Sequence, residues 1–449
     1  MRWLCLYAGL IEMVMAGSPI EELVADPSLK TASVGVLVVP LEGDEVVAEW
    51  QPDVALIPAS TMKAITTATA LQKLGEDYMF KTNLSLAGDD LVIKGGGDPV
   101  LGGQPEKMFS AWMAALEEAG LEKIEGDIIA DATRFEDRTV PDSWPWGDVG
   151  NYYGAGPSGL NFRLNIYALT FQPGEEGERA ELLSAIPEPP GVEFINEMRT
   201  GGPASGDQGY AYGGPGAEKV WLRGTVPAGG NFTIYGALPD PPLSCAVAFK
   251  SYLEEHEFEV MGEARVDRGI LDEAKEVFVQ KSPPLKAIAS KTNHRSINLF
   301  ADSLFKALSV AGSTEDSEKI LRKHWEDQDV DLTGFVLHDG SGLSPRNSVT
   351  ARQMVSILKK ARGHETGEAF LQTLPVAGKS GTLVGFGRGT SIEGKVRAKS
   401  GGLTRVKTYA GFLTAESGKE YVFAVFSNNS VENPGEALVG FLEKLVKSL

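Results

Sequence analysis

Cysteine is almost absent from this chain, which has only Cys5 and Cys245 in 449 residues. Two cysteines cannot build a disulfide framework, and they give little support for a thiol-based mechanism. Histidine is also scarce, and its five residues show no metal-ligand spacing, so we expect no metal site and place most of them at the surface. These five are His256, His294, His324, His338 and His364.

Positive charge is in deficit as well. The chain has 42 Lys and Arg against 61 Asp and Glu, a formal net charge of −19. This balance argues against nucleic acid as a partner and offers no basic surface for anionic lipid. Beyond the N-terminus, no stretch approaches the ~20 apolar residues of a membrane span. The hydrophobic content of 42% and the length are sufficient for two or three domains with ordinary cores.

The N-terminal segment permits two interpretations. Arg2 precedes an apolar run, and the small residue Ala16 is typical of a cleavage site, so residues 1–16 resemble a signal peptide. Glu12 interrupts the apolar run, and the alternative is a structured N-terminal helix. We favour export, which predicts a periplasmic or extracellular protein.

The segment Pro-Ala-Ser-Thr-Met-Lys at 58–63 is the first candidate for catalysis. From Ser60 to Leu74 apolar residues recur at helical spacing, and Gly75 follows as a stop, so a helix is predicted to begin at Ser60. Residues i and i+3 share a helix face, which places the Lys63 amine over the Ser60 hydroxyl. A serine needs a base to attack a carbonyl, and a lysine kept neutral by its surroundings can be that base.

Ser-x-x-Lys and two other short motifs that can take part in catalysis each occur more than once in the chain. Ser-x-x-Lys recurs at residues 303–306 and 356–359, inside helical patterns where a solvated lysine is expected. Ser-x-Asn occurs at 296–298 and at 427–429, and Lys-Ser-Gly at 379–381 and 399–401. We favour Lys399 over Lys379, because Lys399 leads into two predicted antiparallel strands whereas Lys379 follows a turn.

The remaining pattern predicts a sheet covered by helices, with β-rich insertions. Strands are expected at 32–41 and 45–50 with a hairpin turn between them, and again at 407–414 and 420–427. Helices are expected at 285–308, 349–361 and 434–449. Between about residues 78 and 282 short strands, Gly and Pro dominate. Gly95–Gly97 lacks the Lys-Ser/Thr of a phosphate-binding loop, so nucleotide binding is not expected.

In chain order the three motifs are Ser60-x-x-Lys63, Ser296-x-Asn298 and Lys399-Ser400-Gly401. This order resembles penicillin-binding proteins and serine β-lactamases. Flanking segments narrow the resemblance to the D-alanyl-D-alanine carboxypeptidase/endopeptidase family, the low-molecular-mass class C penicillin-binding proteins, from about residue 30 onward. Those segments are Gly-Gly-Gly-Asp-Pro at 95–99, Asp-Ser-Trp-Pro-Trp-Gly-Asp at 142–148, Asp-Gly-Ser-Gly-Leu-Ser at 339–344 and Leu-Pro-Val-Ala-Gly at 374–378.

The resemblance implies the fold class and the domains. The fold is an α/β (α+β) transpeptidase fold, an antiparallel sheet covered by helices, with two inserted β-rich domains. The peptidase domain is expected at 20–80 and 281–449. One inserted domain is expected at 81–165 and 236–280, and the other at 166–235.

The resemblance also implies the chemistry. Ser60 attacks the carbonyl of the penultimate D-alanine and Lys63 accepts its proton, while Ser296 passes a proton to the leaving amine. Asn298 holds the acyl side of the substrate, and Lys399 is expected to keep Lys63 neutral by like-charge repulsion. The expected partners are peptidoglycan peptides ending in D-Ala-D-Ala, with β-lactams as covalent inhibitors, and no cofactor is required.

Four further residues are expected to bind substrate, namely Ser400, Gly401, Gly402 and Asp148. Lys399 and Ser400 of the Lys-Ser-Gly motif would hold the terminal carboxylate, while the N–H groups of Ser60 and Gly402 would form the oxyanion hole. Gly401 completes the motif, and Gly402 stands where the family usually has a threonine, so one hydroxyl is missing. Asp148 is expected to read a free amine on the stem peptide, the alternative being a carboxylate that caps a turn.

Two other functions fit the same motifs. One is a β-lactamase or esterase on the same scaffold, against which the 233-residue gap between the first two motifs argues. The other is a non-catalytic peptidoglycan-binding protein, against which the intact motifs argue. A Ser-His-Asp hydrolase is not expected, because Gly-x-Ser-x-Gly does not occur.

Overall fold

A computed structural model describes residues 18–267 and 274–449. The predicted signal peptide at 1–16 and Cys5 lie outside the described residues. Across the described ranges, no helix has the length and apolar character needed to cross a membrane.

Helices and strands occur in both described ranges, separated by loops. The helices are α1 (Pro19–Val24), α2 (Met62–Leu74), α3 (Pro105–Glu118), α4 (Trp146–Val149), α5 (Pro241–Glu255), α6 (Leu285–Arg295), α7 (Asn298–Ala307), α8 (Thr314–Glu326), α9 (Ala351–Gly363), α10 (Gly367–Thr373) and α11 (Gly435–Ser448). The strands are β1 (Ser33–Pro40), β2 (Ala48–Trp50), β3 (Lys81–Ala87), β4 (Asp90–Lys94), β5 (Lys123–Ile124), β6 (Ile128–Asp131), β7 (Ile166–Gln172), β8 (Glu181–Ile186), β9 (Glu193–Asn196), β10 (Arg199–Gly201), β11 (Gln208–Tyr212), β12 (Lys219–Pro227), β13 (Phe232–Ala237), β14 (Glu259–Val260), β15 (Ala264–Val266), β16 (Lys275–Lys281), β17 (Val396–Leu403), β18 (Val406–Thr414) and β19 (Glu420–Asn428).

The central sheet has the antiparallel order β17-β18-β19-β1-β2, so the two ends of the described chain meet in one sheet. Helices cover both of its faces, which explains why β1 reads as a continuous apolar run. Successive side chains point to opposite faces. Leu37 and Val39 accordingly pack into the core beneath α2, α6, α7 and α9, while Val36 and Val38 pack against α11.

The inserted segment forms separate sheets with their own cores. A mixed sheet of order β15-β6-β4-β3-β16 packs against α3 and α5 around Trp112 and Phe249. Two smaller sheets, β13-β7-β8 and β10-β12-β11 with β9 on β12, enclose a core that includes Leu169 and Leu222. Each apolar strand face is therefore buried locally rather than against the central sheet.

The predicted elements are present with small shifts of their ends. The β1–β2 hairpin, strands β18 and β19, and helices α9 and α11 all lie where the pattern places them. The predicted helix at 60–74 begins at Met62 instead, because residues 59–61 form a 3-10 turn. The predicted helical stretch at 285–308 is interrupted by Ser296, which has a left-handed backbone (φ 56°), so it forms two helices.

Candidate active site

Ser60 lies on the 3-10 turn at the N-terminal end of α2, and Lys63 lies one turn further on. The Lys63 Nζ donates to the Ser60 Oγ at 2.9 Å, which is the contact that the i, i+3 spacing predicts. The preceding Ala59 has φ 46°, a conformation that costs a non-glycine residue about 1 kcal/mol. Two hydrogen bonds stabilise this turn, because the hydroxyls of Thr61 and Thr408 both donate to the Pro58 carbonyl.

Lys63 is fully buried, and three oxygens surround its amine. Besides Ser60, it donates to the Asn298 Oδ1 and to the Ser341 carbonyl, both at 2.6 Å. Burial lowers the pKa of Lys63 to about 8, and the carboxylates of Asp302 and Asp339 oppose this shift. At neutral pH an appreciable fraction of the amine is neutral, as a general base requires.

Burial, rather than the expected repulsion from Lys399, is the first cause of this lowering. The like-charge repulsion between the two amines is mutual, and on Lys399 it adds to the effect of burial. The pKa of Lys399 lies well below its usual value through burial first and then through the charges of Lys63 and Lys407.

Two buried carboxyl groups shape the surroundings of Lys63. Asp302 lies one turn beyond Asn298 on α7 and accepts from the Gly340 N–H at 2.8 Å. Burial is the first reason why the pKa of Asp302 is raised to about 7. Asp339 accepts four hydrogen bonds of 2.6–2.8 Å, from the Gly342 and Ser344 N–H groups and the side chains of Trp144 and Asn347. The loop wound around Asp339 presents the Ser341 carbonyl to Lys63.

A second serine–lysine pair faces the first. The left-handed turn at Ser296 orients its Oγ to accept from the Lys399 Nζ at 3.0 Å. Lys399 extends from β17, is fully buried, and also donates to the Ser400 carbonyl at 2.6 Å. The three motifs therefore meet at one place, where α2, the α6–α7 turn and β17 converge.

The edge strand β17 presents the rest of the third motif. Gly401 passes so close to α2 that a Cβ there would lie 2.2 Å from the Thr408 Oγ1 and 2.9 Å from the Ser60 N, so no other residue fits. The Ala398 N–H donates to the Pro375 carbonyl, away from β18. Because backbone direction alternates along a strand, the N–H of Gly402 also points away from β18, at the sheet edge.

Thr382 was missed by sequence reasoning. The Ser400 hydroxyl donates to the Thr382 Oγ1 at 2.7 Å, so a second hydroxyl lies beside the third motif although residue 402 is glycine. The available signal was the position of Thr382, directly after the Lys-Ser-Gly copy at residues 379–381. A turn carried by that copy brings it to β17, a juxtaposition that only the tertiary structure reveals.

The inserted segment reaches the site through Tyr153. The Asn298 Nδ2 donates to the Tyr153 carbonyl at 2.7 Å, and the Tyr153 hydroxyl donates to the Asp148 Oδ1 at 3.1 Å. Asp148 lies on α4, is half-buried, and has its pKa raised by burial. The amide of Asn298, which we expected to hold substrate, therefore also links Lys63 to the insertion.

The motif copies lie elsewhere. Lys379 is exposed in a turn, and Lys359 on α9 pairs with Asp44 at 2.9 Å. The solvated lysine expected at 306 was wrong, because Lys306 is buried and pairs with Glu136 at 3.2 Å. None of the five histidines is buried, since His256 is exposed and the other four are partly exposed.

Comparisons with known proteins identify the same family that the sequence resembles. A model of the D-Ala-D-Ala carboxypeptidase 3 (S13) family matches residues 17–444. A D-alanyl-D-alanine carboxypeptidase of Actinomadura sp. strain R39 is 29% identical over 437 residues, which cover 91% of this chain and 80% of the relative. The D-alanyl-D-alanine carboxypeptidase DacB of Haemophilus influenzae is 25% identical over 426 residues, 88% of this chain and 85% of the relative.

Solved structures confirm the predicted fold. The crystal structure of penicillin binding protein 4 from Haemophilus influenzae matches with a TM-score of 0.82 and 22% identity, and the match covers 95% of this chain and 98% of that chain. The family model that matches nearly the whole length shows that the chain belongs to the D-Ala-D-Ala carboxypeptidase 3 (S13) family.

Proposed function

We propose that this family member cleaves peptidoglycan stem peptides ending in D-Ala-D-Ala through an acyl-enzyme on Ser60, as a carboxypeptidase, an endopeptidase or both. One observation carries the proposal. The Lys63 Nζ lies 2.9 Å from the Ser60 Oγ, and burial keeps the pKa of that amine at about 8. An amine that is partly neutral at this distance is a competent base for a serine.

Acylation begins with transfer of the Ser60 hydroxyl proton to Lys63. The Oγ attacks the carbonyl carbon of the penultimate D-alanine, and the carbonyl oxygen becomes an oxyanion. The N–H groups of Ser60 and Gly402 stabilise this oxyanion, in a type of site where one donor is worth on the order of 3 kcal/mol. The Gly402 N–H points away from β18 at the edge of the sheet, and this direction supports its role as an oxyanion donor.

Collapse of the tetrahedral intermediate breaks the C–N bond. Ser296 gives its hydroxyl proton to the leaving amine, and the proton that Lys63 took from Ser60 replaces it by way of Lys399, whose Nζ lies 3.0 Å from the Ser296 Oγ. Lys63 is then neutral again before deacylation. A water molecule then attacks the ester carbonyl and yields a proton to Lys63. Ser60 leaves as the alcohol after it recovers that proton, so protons balance over the cycle.

The terminal carboxylate is held at the edge of β17. Lys399 and Ser400 bind it, as the resemblance implies, and we add Thr382, whose Oγ1 lies 2.7 Å from the Ser400 Oγ. This hydroxyl compensates for the glycine at residue 402. Asp148 is linked to the site through Tyr153 and Asn298, and we propose that it reads a free amine on the stem peptide.

The domain boundaries are also a proposal. The peptidase domain comprises residues 20–80 and 281–449, and the insertions comprise 81–165 with 236–280, and 166–235. Separate sheets and cores in these segments support the division. We place the protein in the periplasm or outside the cell, because its proposed substrate is the cell wall and the 1–16 segment resembles a signal peptide.

Acylation by benzylpenicillin tests the catalytic assignment. Intact-protein mass spectrometry should reveal one adduct, which peptide mapping places on Ser60 and which Ser60→Ala abolishes. An adduct on Ser303 or Ser356, the serines of the other two Ser-x-x-Lys copies, would contradict the assignment. Absence of any adduct would favour a non-catalytic binding protein, and rapid deacylation would favour a β-lactamase.

Digestion of purified sacculi tests the substrate. Mass spectrometry of the released fragments should detect free D-alanine from pentapeptides for a carboxypeptidase, and monomers from cross-linked dimers for an endopeptidase. If neither product forms while Ser60 is acylated by penicillin, the peptidoglycan substrate is wrong although the nucleophile is right.

A further inference from the structure

A cavity separate from the active site lies behind the turn that carries Ser296. It has a volume of about 730 Å³, is open to solvent, and is lined by α3, the end of β16 and the α6–α7 region. Arg295 and Ile297 line this cavity. The alternate residues Ser296 and Asn298 make hydrogen bonds with Lys399 and Lys63 in the active site. The α6–α7 turn is therefore a wall shared by the active site and the cavity.

Four cations surround the cavity, although the chain is strongly acidic. Lys107 comes from α3, Lys281 from β16, and Lys291 and Arg295 from α6, and all four are exposed. Within residues 18–267 and 274–449 none of the four forms an ion pair. Lys286, on the same helix as Lys291, pairs with Glu76 at 3.4 Å. Like charges from three elements that converge without a partner repel one another, and an anionic ligand would relieve this repulsion.

The wall of the cavity is mainly apolar. Leu101, Met108 and Phe300 contribute to it, so a ligand would bury aliphatic surface there while its charges meet the rim. One carboxyl group, Asp98, also lines the cavity. It is 4% exposed, and its Oδ1 accepts from the Val100 N–H at 2.9 Å. The site is therefore suited to an extended chain with an apolar body and separated negative charges.

We propose that this cavity binds a second peptidoglycan peptide through two or more of its carboxylates, next to the peptide that is being cleaved. The inference rests on the proposed function, because stem peptides carry several free carboxylates and reach the enzyme as part of a polymer. A phosphodiester wall polymer shares the polyanionic chemistry, and the experiment distinguishes the two sources.

The test compares two substrates in a triple variant, Lys107→Gln with Lys281→Gln and Lys291→Gln. We expect kcat/KM for a cross-linked muropeptide dimer to fall at least fivefold. For diacetyl-Lys-D-Ala-D-Ala, which has no second stem peptide, it should change less than twofold. Added NaCl should reduce kcat/KM for the dimer in the native enzyme and much less in the variant, because salt screens exposed charges.

A matched triple variant controls for general electrostatics. Lys30→Gln with Lys360→Gln and Lys419→Gln removes three exposed lysines that also form no ion pair among the described residues. Equal loss in both triple variants, or equal loss on both substrates, would overturn the cavity proposal. A different outcome is that poly(glycerol phosphate) competes selectively while the triple substitution leaves hydrolysis of the dimer unaffected. This result would show that the cavity binds the phosphate polymer and that the proposed peptide ligand is wrong.

Benzylpenicillin acylation separates this proposal from the proposed function. All variants should acylate at the native rate, because none of the substituted lysines touches Ser60 or Lys63. If the native enzyme forms no adduct, the proposed function fails. If it acylates normally and the triple variant cleaves the dimer at the native rate, only the cavity proposal fails.

Discussion

At the scale of single residues, Lys63 is the most sensitive position because its role depends on losing a proton. Arginine keeps the positive charge but stays protonated in proteins, so it cannot act as a base. Lys63→Arg should therefore reduce the rate of benzylpenicillin acylation by at least a thousandfold, measured by mass spectrometry over time.

The exposed copy of the third motif provides the control for this substitution. Lys379→Arg should leave acylation within a few fold, because Lys379 is exposed in a turn. Lys399→Arg should be damaging, because the buried Lys399 Nζ contacts the Ser296 Oγ. The reverse pattern would show that the wrong Lys-Ser-Gly was chosen.

The pH dependence of acylation follows from the same amine. Since the pKa of Lys63 is about 8 and the neutral form is the base, the rate should fall about tenfold per pH unit below that value. Asp302 raises this pKa, so Asp302→Asn should move the midpoint of the profile to lower pH. Stopped-flow acylation across pH 5–10 measures the shift.

Asparagine at residue 302 retains an oxygen for the Gly340 N–H, which limits structural damage. Asp89→Asn, in the exposed β3–β4 turn, removes a remote carboxylate and should leave the midpoint unchanged. A midpoint that stays fixed or rises in Asp302→Asn would show that Asp302 does not act on Lys63.

Asp148 should affect recognition of substrate rather than chemistry. Its carboxylate is half-buried, so we expect Asp148→Asn to cost about tenfold in kcat/KM, or ~1.4 kcal/mol, on a peptide with a free amine. Diacetyl-Lys-D-Ala-D-Ala lacks the amine and should be cleaved almost normally. Equal losses on both peptides would mean that Asp148 supports the fold.

At the scale of elements, the contact between β17 and the turn before α2 positions the third motif against the first. Gly401→Ala places a methyl group 2.2 Å from the Thr408 Oγ1 and 2.8 Å from the Pro58 carbonyl. The turn before α2 must shift, so acylation should fall more than tenfold and stability by ~1–3 kcal/mol. Urea unfolding and penicillin acylation measure the two effects.

Gly440 on α11 is the matched control. An added Cβ there meets nothing within 4 Å, and alanine favours a helix over glycine by about 1 kcal/mol. Gly440→Ala should therefore acylate normally and be slightly more stable. Normal acylation in Gly401→Ala would show that β17 does not position Ser60.

At the scale of the whole molecule, the insertion supports the catalytic loop through Trp144. Its Nε1 donates to the buried Asp339 Oδ2 at 2.7 Å, across 195 residues of sequence. Trp144→Phe leaves that oxygen with one donor fewer, which should cost ~1–3 kcal/mol of stability. Because the same loop presents the Ser341 carbonyl to Lys63, acylation should also slow.

Trp146, two residues away, is 65% exposed and offers the comparison. Trp146→Phe should change neither urea unfolding nor acylation appreciably. If Trp144→Phe behaves like Trp146→Phe, the insertion and the catalytic loop are energetically independent.

The sequence by itself determined the features that depend on local spacing. The i, i+3 relation of Ser60 and Lys63 follows from helical geometry, and β18 and β19 follow from apolar patterns over a few residues. The order of the three motifs predicted the fold, and the segments that flank them predicted the family, and both are confirmed. The turn before α2 was missed, since its hydrogen bond from Thr408 comes from a distant strand.

Tertiary structure alone decided which groups are buried and which cations stand close together. Lys306 and Lys359 were both expected to be solvated lysines on helices, yet Lys306 is buried against Glu136 whereas Lys359 is partly exposed and pairs with Asp44. The pKa of Lys63 is lowered by desolvation, and two carboxylates more than 230 residues away oppose this shift. Burial and Coulomb interactions depend on distance in space, and contacts across hundreds of residues leave no periodic signal in the chain.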